Sequence, residues 1–237
     1  MDVLRNMRQI SEARSELIRK GASCLERFPR SLLRRWGLVR DASVGDYVKS
    51  WDVLATLIFL EREVARDQPI LDIGCYASEV LVALHKLGCT RLTGADLDPN
   101  LRRMPFQKAI RYQTCNFMQT PFPDASFQAI TSISVIEHGF NEKALLREVS
   151  RLLKPGGFFI ASFDYWPDKI DTTGTTFFGM DWTIFSRREV ADLIDHAAAY
   201  GLALVGDRQF DAEDAPIESA GKKYTFGWLA LRKTIPS

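Results

Sequence analysis

Two carboxylates and a glycine stand where predicted strands end, and their chemistry suits a nucleoside. In the stretch LDIGCYASEV, an apolar run meets Asp72 and then Gly74 before a predicted helix. In RLTGADLD, a second predicted strand ends at Asp96. A carboxylate at this position can accept hydrogen bonds from both hydroxyls of a ribose. The alternative for Asp96 is a solvated carboxylate at a strand end.

The residues around Gly74 narrow the choice of cofactor. Nicotinamide cofactors need a pyrophosphate to approach bare backbone, which G-x-G-x-x-G allows, but Tyr76 and Ser78 stand in this loop. Asp72 would repel a phosphate and suits a cation. S-adenosylmethionine (SAM) has a ribose, an adenine, an ammonium and a sulfonium, but no phosphate. We therefore expect SAM, with Gly74 close to its methionine part, or serving only as a turn glycine. Asp72 would orient the ammonium, cap the next helix, or do both.

Asn116 and Phe117 follow the third predicted strand. An amide both donates and accepts hydrogen bonds, so Asn116 suits the edge of an adenine. A turn-forming asparagine is the alternative. Phe117 would flank the adenine or belong to the core. The sequence leaves both choices open.

Two residues that can accept a proton follow the fourth and fifth predicted strands. His138, next to Glu137, is a candidate general base because the ordinary pKa of histidine lies close to neutrality. A structural histidine hydrogen-bonded near the cofactor is the alternative. Asp164 is the second candidate base.

The connection DYWPDKIDTTGTTFFGMDWTIFS, residues 164–186, is long and rich in aromatic residues. Long connections in compact domains are often functional. Sugars stack on aromatic rings and hydrogen-bond to carboxylates, so Tyr165, Trp166 and Trp182 are predicted to bind an acceptor. A lid that packs on the N-terminal segment is a compatible alternative.

The elements that must position these residues alternate regularly from Pro69 onwards. This pattern predicts an α/β fold: a doubly wound, Rossmann-like, mostly parallel sheet of seven strands with helices on both faces. Ser186 is a predicted N-cap, and Gly201 follows the end of the same helix. Ligands of such sheets lie at the carboxyl ends of the strands, where the residues described above stand.

Residues 1–65 are predicted to form a helical cap without strands, on a domain that covers residues 66–237. They include the basic stretch RFPRSLLRRWGLVRD, in which arginines surround Leu32, Leu33 and Trp36. We expect its apolar side to pack on the main domain. A surface for an anionic acceptor, or a peripheral membrane contact, is the alternative.

Four stretches, in this order, resemble the class I SAM-dependent methyltransferases of type 11: ILDIGC, LTGADLDPN, TPFPDASFQAITSISVIEHG and REVSRLLKPGG. The resemblance covers about residues 66–165. Tyr76 and Ser78 depart from the family pattern D-x-G-x-G-x-G, and Asn116 stands where the family often has an acidic residue. The resemblance implies a set of cofactor-binding residues: Asp72, Gly74, Cys75, Tyr76, Asp96, Leu97, Asn116, Phe117 and Ser134.

Two narrower expectations follow from the resemblance. The forms GCYASE, DYWPDKID and WTIFSRRE resemble a branch associated with polysaccharide and other glycan pathways. Some methyltransferases of this class hold magnesium with Glu-x-x-Glu-His. Ser134 stands at the first acidic position here, so no metal is expected.

Bulk composition limits the classes of function. The 237 residues are 46% hydrophobic and 26% charged, and the net charge is +1. These values are ordinary for a soluble globular protein and give no argument for nucleic acid. We see neither a membrane-spanning run nor an apolar signal core. The four scattered cysteines indicate reduced thiols, so a cytoplasmic location is expected.

The sequence thus predicts a SAM-dependent methyltransferase that acts on an oxygen atom of a small molecule or glycan. Its main task would be in-line positioning of the acceptor with water excluded. A non-catalytic protein of the same fold is one alternative, because the glycine loop is incomplete. A nucleotide-sugar-dependent glycosyltransferase is another, because Asp96-Leu97-Asp98 spells D-x-D.

Overall fold

The computed structural model describes residues 1–25, 32, 35–36 and 41–235. The strands are β1 Asp2–Val3, β2 Ile70–Ile73, β3 Leu92–Asp96, β4 Ile110–Thr114, β5 Phe127–Ile133, β6 Leu153–Tyr165, β7 Thr176–Phe177, β8 Met180–Asp181, β9 Leu202–Leu204, β10 Ile217–Ser219 and β11 Lys222–Lys233. The helices are α1 Met7–Arg19, α2 Ser50–Glu63, α3 Val80–Lys86, α4 Glu142–Leu152 and α5 Arg187–Ala198, with a 3-10 helix at Pro99–Arg103.

The predicted doubly wound sheet is confirmed. Seven strands follow the order β4-β3-β2-β5-β6-β11-β9, in which β2 to β6 pair in parallel and β11 runs antiparallel to β6 and β9. Two short strands, β1 and β10, also pair with β11, so the described sheet has nine strands. The carboxyl ends of the parallel strands share one edge, where the predicted site residues lie.

Helices cover both faces of this sheet, as predicted. On one face α4 and α5 contribute Leu146, Val149 and Val190 to a buried cluster. On the other face α2 and α3 contribute residues such as Leu57 and Val80 to a second cluster. The sheet is therefore the central layer of three, and burial of its two faces supplies the main driving force for the fold.

The N-terminal segment joins the sheet, which the sequence analysis did not predict. In β1, Asp2 pairs with Trp228 and Val3 with Gly227. A strand of two residues is too short to show alternation, so its sequence carries no signal. A Cβ atom on Gly227 would lie 2.6 Å from the ring of Phe163, so glycine allows the close approach. The division into domains at residue 65 stays a prediction.

The predicted helix signals around α5 are confirmed. The Ser186 hydroxyl accepts a hydrogen bond from the backbone N–H of Glu189, and the Glu189 carboxylate accepts one from the Ser186 N–H. Gly201 follows the helix with φ of +70°. This reciprocal cap fixes where the long aromatic connection ends.

Most of the basic stretch lies outside the described residues, including Arg30, Leu33, Arg34 and Arg40. Leu32 and Trp36 are described, and they are 42% and 74% exposed. Whether this stretch packs on the domain or meets a membrane stays a prediction. In the described ranges, no helix has both the length and the apolar character needed to cross a bilayer.

Candidate active site

The turn after β2 requires a glycine at position 74. Gly74 has φ of +67°, in the region that L side chains rarely adopt. A Cβ atom there would lie 2.3 Å from Cγ2 of Val135, two residues after β5 ends. The lack of space for a side chain and the positive φ both therefore require glycine at position 74. Without a side chain there, the backbone of the turn stays accessible to a ligand.

Asp72 is buried near the end of β2 with one side-chain oxygen free. Its side chain is almost fully buried, and Oδ1 accepts a hydrogen bond of 2.6 Å from the Thr131 hydroxyl. Oδ2 is buried and has no hydrogen-bond partner among the described residues. Burial raises the pKa of this carboxyl to about 7. Asp72 does not cap α3, whose N-cap is Glu79, so its free oxygen suits an ammonium group.

Asp96 shapes the cofactor loop. Its Oδ2 accepts a 2.8 Å hydrogen bond from the Tyr76 N–H, and its Oδ1 accepts one of 2.9 Å from the Asp98 N–H. Each carboxylate oxygen has a second lone pair for a ribose hydroxyl. Asp98 in turn accepts from the Asn100 N–H at the start of the 3-10 helix. Both aspartates of the D-x-D motif therefore have local structural roles as hydrogen-bond acceptors for backbone N–H groups.

The other predicted cofactor residues differ in exposure. Asn116 Oδ1 accepts a 2.9 Å hydrogen bond from the Met118 N–H, which makes it a turn residue. Phe117 is half-buried against the core, and Leu97 is 55% exposed. The Cys75 side chain is fully buried. Burial in the core raises the pKa of this thiol, so Cys75 stays a predicted cofactor residue through its backbone.

A cavity of about 450 Å³ opens where β5 and β6 end. It gathers His138 and Asp164, the predicted bases, and Trp182, a predicted acceptor-binding residue. Ser134, which was predicted for the cofactor, also lines it. The lining is Met7, Asp46, Val48, Lys49, Ser134, Glu137, His138, Asp164, Phe177, Phe178, Trp182, Pro216, Ile217, Glu218, Ser219, Tyr224 and Phe226. The size suits a small-molecule acceptor.

His138 lines this cavity rather than the core. Its ring stands edge-on to Phe177 and Phe178, with centroids 6.1 and 5.4 Å away. Nδ1 is buried without a hydrogen-bond partner in the described residues. Burial lowers the pKa of the imidazole, which favours the neutral, proton-accepting form at pH 7.

Glu137 and Asp164 face the same cavity beside a lysine. Trp182 Nε1 donates a 2.7 Å hydrogen bond to Asp164 Oδ2, and Lys49 Nζ lies 3.9 Å from Oδ1. Glu137 is 1% exposed, and its Oε2 has no partner in the described part of the chain. Burial, and next the charge of Asp164, raise the pKa of Glu137 to about 8.

The aromatic acceptor wall is only partly as predicted. Trp182 lines the cavity, as do Phe177 and Phe178. Tyr165 is fully buried, and its hydroxyl donates a 2.6 Å hydrogen bond to the Phe210 carbonyl, so its predicted contact with an acceptor is wrong. Side chains alternate along β6, so Asp164 and Tyr165 point to opposite faces. Trp166 packs beside the apolar cluster under the cavity.

Sequence reasoning missed Lys49, which the segment before α2 brings into the site. Its Nζ lies 3.4 Å from the centre of the Phe226 ring, 3.8 Å from Asp52 and 3.9 Å from Asp164. Tyr224 and Phe226 of β11 were also missed. No local pattern marks these residues, because only tertiary packing brings Lys49 to the two residues of β11.

The same N-terminal segment touches the cofactor loop. The Gly45 N–H donates a 2.8 Å hydrogen bond to the Ala77 carbonyl. Arg14 of α1 forms a buried ion pair with Glu79, at 2.8 Å. Residues 41–49 therefore cover one side of the loop and carry Lys49 into the cavity.

Comparison with known proteins agrees with this geometry. Residues 71–161 match the family model described as a methyltransferase domain. A demethylmenaquinone methyltransferase from Tropheryma whipplei (strain Twist) is 29% identical over 98 residues, which cover 40% of this chain and 41% of that protein. The chain thus spans about two fifths of the length of this curated relative.

Solved structures share the fold at low sequence identity. The [4+2]-cyclase SpnF has a TM-score of 0.64 and 14% identity, with 87% of this chain and 93% of that chain covered. Geranyl diphosphate C-methyltransferase from Streptomyces coelicolor A3(2) was solved with Mg²⁺, geranyl diphosphate and S-adenosyl-L-homocysteine. It has a TM-score of 0.56 and 20% identity, with 83% and 90% covered.

The family match and the fold confirm the resemblance seen in the sequence. Residues 71–161 form a methyltransferase domain of the class I, SAM-dependent kind. SAM is the cofactor that this kind of domain uses.

Proposed function

We propose that this protein transfers the methyl group of SAM to an oxygen atom of a small molecule or glycan. The main support is a set of buried polar atoms without partners in the described residues, on a methyltransferase domain. Four of these atoms lie near the ends of β2 and β5: Asp72 Oδ2, Ser134 Oγ, Glu137 Oε2 and His138 Nδ1. Buried polar groups are normally hydrogen-bonded, so these atoms suit ligands on both sides of the β5 end.

The residues present fit the cofactor. Asp72 would hold the ammonium through its free oxygen, Asp96 would hold the ribose, and Gly74 leaves the backbone accessible. When bound, SAM supplies an electrophilic methyl group on a sulfonium. Asn116 and Phe117 remain proposed neighbours of the adenine.

His138 is the proposed base in the acceptor cavity. Its Nδ1 would accept the proton that the acceptor hydroxyl loses as the new bond to carbon forms. Asp164 would act instead if His138 is structural, but Trp182 already occupies one of its oxygens. Trp182, Tyr224 and Phe226 are buried in the cavity wall, and a bound acceptor that displaces water against them would strengthen polar interactions there.

The finer parts of the proposal concern the acceptor and its setting. Carboxylates beside aromatic rings suit a hydroxylated, sugar-like acceptor, in line with a role in polysaccharide or other glycan pathways. The relatives and neighbours named above include methyltransferases for a quinone precursor and a terpenoid diphosphate, so the acceptor class needs its own test. We also propose a cytoplasmic location.

Two measurements test the proposal. Calorimetry should detect SAM and S-adenosylhomocysteine binding to the whole chain. Incubation with SAM and fractionated small-molecule and glycan extracts should then release S-adenosylhomocysteine. Absence of SAM binding would contradict the cofactor assignment, and binding without turnover on any fraction would contradict the enzyme assignment.

A second candidate is a protein of this fold that does not transfer methyl groups. The [4+2]-cyclase in the comparison shares the fold, and fold alone does not fix chemistry. The incomplete glycine loop also favours this candidate, because Tyr76 and Ser78 stand where the family pattern has glycine. Cofactor binding without turnover would support it.

A further inference from the structure

The cavity wall is strongly acidic, although the chain as a whole is nearly neutral. Four acidic side chains line it, Asp46, Glu137, Asp164 and Glu218, against one lysine, Lys49. The net charge of the chain is +1. The imbalance is therefore local to this cavity.

Lys49 already has partners and does not compensate the whole cluster. Its ammonium stands over the Phe226 ring and within 4 Å of Asp52 and Asp164. Glu137 is left, almost fully buried, with Oε2 lacking a partner in the described residues. A buried carboxyl without a partner is costly, so a ligand that supplies a cation or a donor there gains free energy.

Aromatic rings complete the environment that a cation prefers. Phe177, Phe178, Trp182, Tyr224 and Phe226 line the cavity. Ring faces attract cations through their quadrupole, as Phe226 already does with Lys49. Phe178 is 86% exposed and has φ of +56°, so a strained residue holds an aromatic ring at the rim. An anionic acceptor would meet the carboxylates with no free cation among the described lining residues.

We propose that the acceptor of this cavity carries a protonated amine or a quaternary ammonium, which Glu137 and the aromatic rings bind. The cation serves recognition, and the methylated atom is the one that reaches His138. Calling the ligand an acceptor rests on the proposed function. The cation preference of the cavity does not.

Three probes of one shape and different charge test the preference: benzylamine, benzyl alcohol and benzoate. Calorimetry at low salt would measure their binding to the whole chain, with and without S-adenosylhomocysteine. We expect benzylamine to bind at least tenfold more tightly than benzyl alcohol and benzoate to bind most weakly. Equal binding of the three, or tighter binding of benzoate, would overturn the proposal. Failure of S-adenosylhomocysteine to bind would instead contradict the proposed function and leave this comparison measurable.

Substitutions locate the effect. Glu137→Gln keeps the size but removes the charge, and should reduce the preference for benzylamine to less than threefold. Glu213→Gln, at an exposed glutamate outside the lining, is the matched control and should leave it unchanged. If Glu137→Gln unfolds, Asp164→Asn should also weaken benzylamine selectively. An unchanged preference in a folded Glu137→Gln protein would remove Glu137 from the proposal.

Proton release provides a second, independent readout. Burial, and next the charge of Asp164, raise the pKa of Glu137, so this carboxyl keeps its proton to higher pH than an ordinary glutamate. The charge of Lys49 lowers that pKa, and Ser134, His138 and Tyr224 face the same cavity. Benzylammonium beside Glu137 should therefore displace its proton. Calorimetry in two buffers of different ionisation enthalpy should show this release for the wild type and not for Glu137→Gln; no release in the wild type would contradict direct pairing.

Discussion

The cofactor half and the acceptor half of the site are built in different ways. Asp72, Gly74 and Asp96 stand at the ends of neighbouring strands, and backbone N–H groups hold Asp96 in place. The acceptor half gathers Lys49 from the segment before α2 and Phe226 from β11. The first half is local and largely fixed by backbone geometry, whereas the second depends on distant side chains. Variation in acceptor chemistry can therefore arise without disturbing the cofactor loop.

The electrostatics of the halves differ as well. The cofactor half has one buried carboxyl with a free oxygen, Asp72, whose pKa burial raises to about 7. The acceptor half has the buried group Asp52, Glu137 and Asp164 around Lys49, and burial raises the pKa of Asp52 to about 6. A titratable cluster of this kind is typical of functional sites. Activity is thus expected to depend on pH through both halves, by way of Asp72 in the first and of this cluster in the second.

The largest expected effect tests the acceptor half through His138→Ala. Loss of a general base should reduce turnover by a factor on the order of 10²–10⁴, with SAM affinity nearly unchanged. Burial lowers the pKa of His138 from the ordinary value of 6.5. The imidazole is therefore still mostly neutral at pH 6.5 and becomes protonated only at lower pH. The wild type should show this acidic limb and the variant should not. Steady-state kinetics and SAM calorimetry make the measurement, and loss of SAM binding or of the fold would indicate a structural histidine.

The next effect tests how strictly the backbone fixes the cofactor half. Gly74→Ala should destabilise the protein by about 2–5 kcal/mol, because positive φ costs about 1–2 and the clash with Val135 about 1–3. Gly206→Ala is the control: φ is +78° and nothing lies within 4 Å of the added Cβ, so only about 1–2 kcal/mol should be lost. Urea unfolding compares the two. Equal losses would show that the contact with Val135 relaxes freely.

A substitution at Asp96 is expected to have a smaller effect, limited to the cofactor half of the site. Asp96→Ala should weaken SAM binding at least tenfold, because hydrogen bonds to a charged acceptor contribute about 1.5–3 kcal/mol each. The fold should persist, although the Tyr76 N–H loses its acceptor. Calorimetry measures the affinity, and circular dichroism checks the fold. Unchanged SAM affinity in a folded variant would remove Asp96 from the site.

The cofactor half could be predicted from the sequence better than the acceptor half. Strand ends that carry Asp72, Gly74 and Asp96 are visible in the sequence because strand, turn and helix signals are local. Lys49 was missed because only tertiary packing brings it to Asp164. Tyr165 was misplaced although its neighbour Asp164 was not, and strand alternation explains both outcomes: Tyr165 shares with Phe163 the face that packs on α4 and α5. Applying the two-residue period to the end of β6 would have separated them.

The last prediction is that a chelator leaves the methyl-transfer activity unchanged. Magnesium prefers several oxygen ligands with negative charge and near-octahedral geometry. Ser134 offers only a neutral hydroxyl, and Trp182 already donates to one oxygen of Asp164. In the described ranges, no group of three or more His, Cys, Asp or Glu side chains is placed to hold a metal ion. Activity on an identified acceptor should therefore survive EDTA. Loss of activity that magnesium restores would instead make Glu137 and His138 ligands, and would turn the acceptor half from a cation-recognising cavity into a metal site.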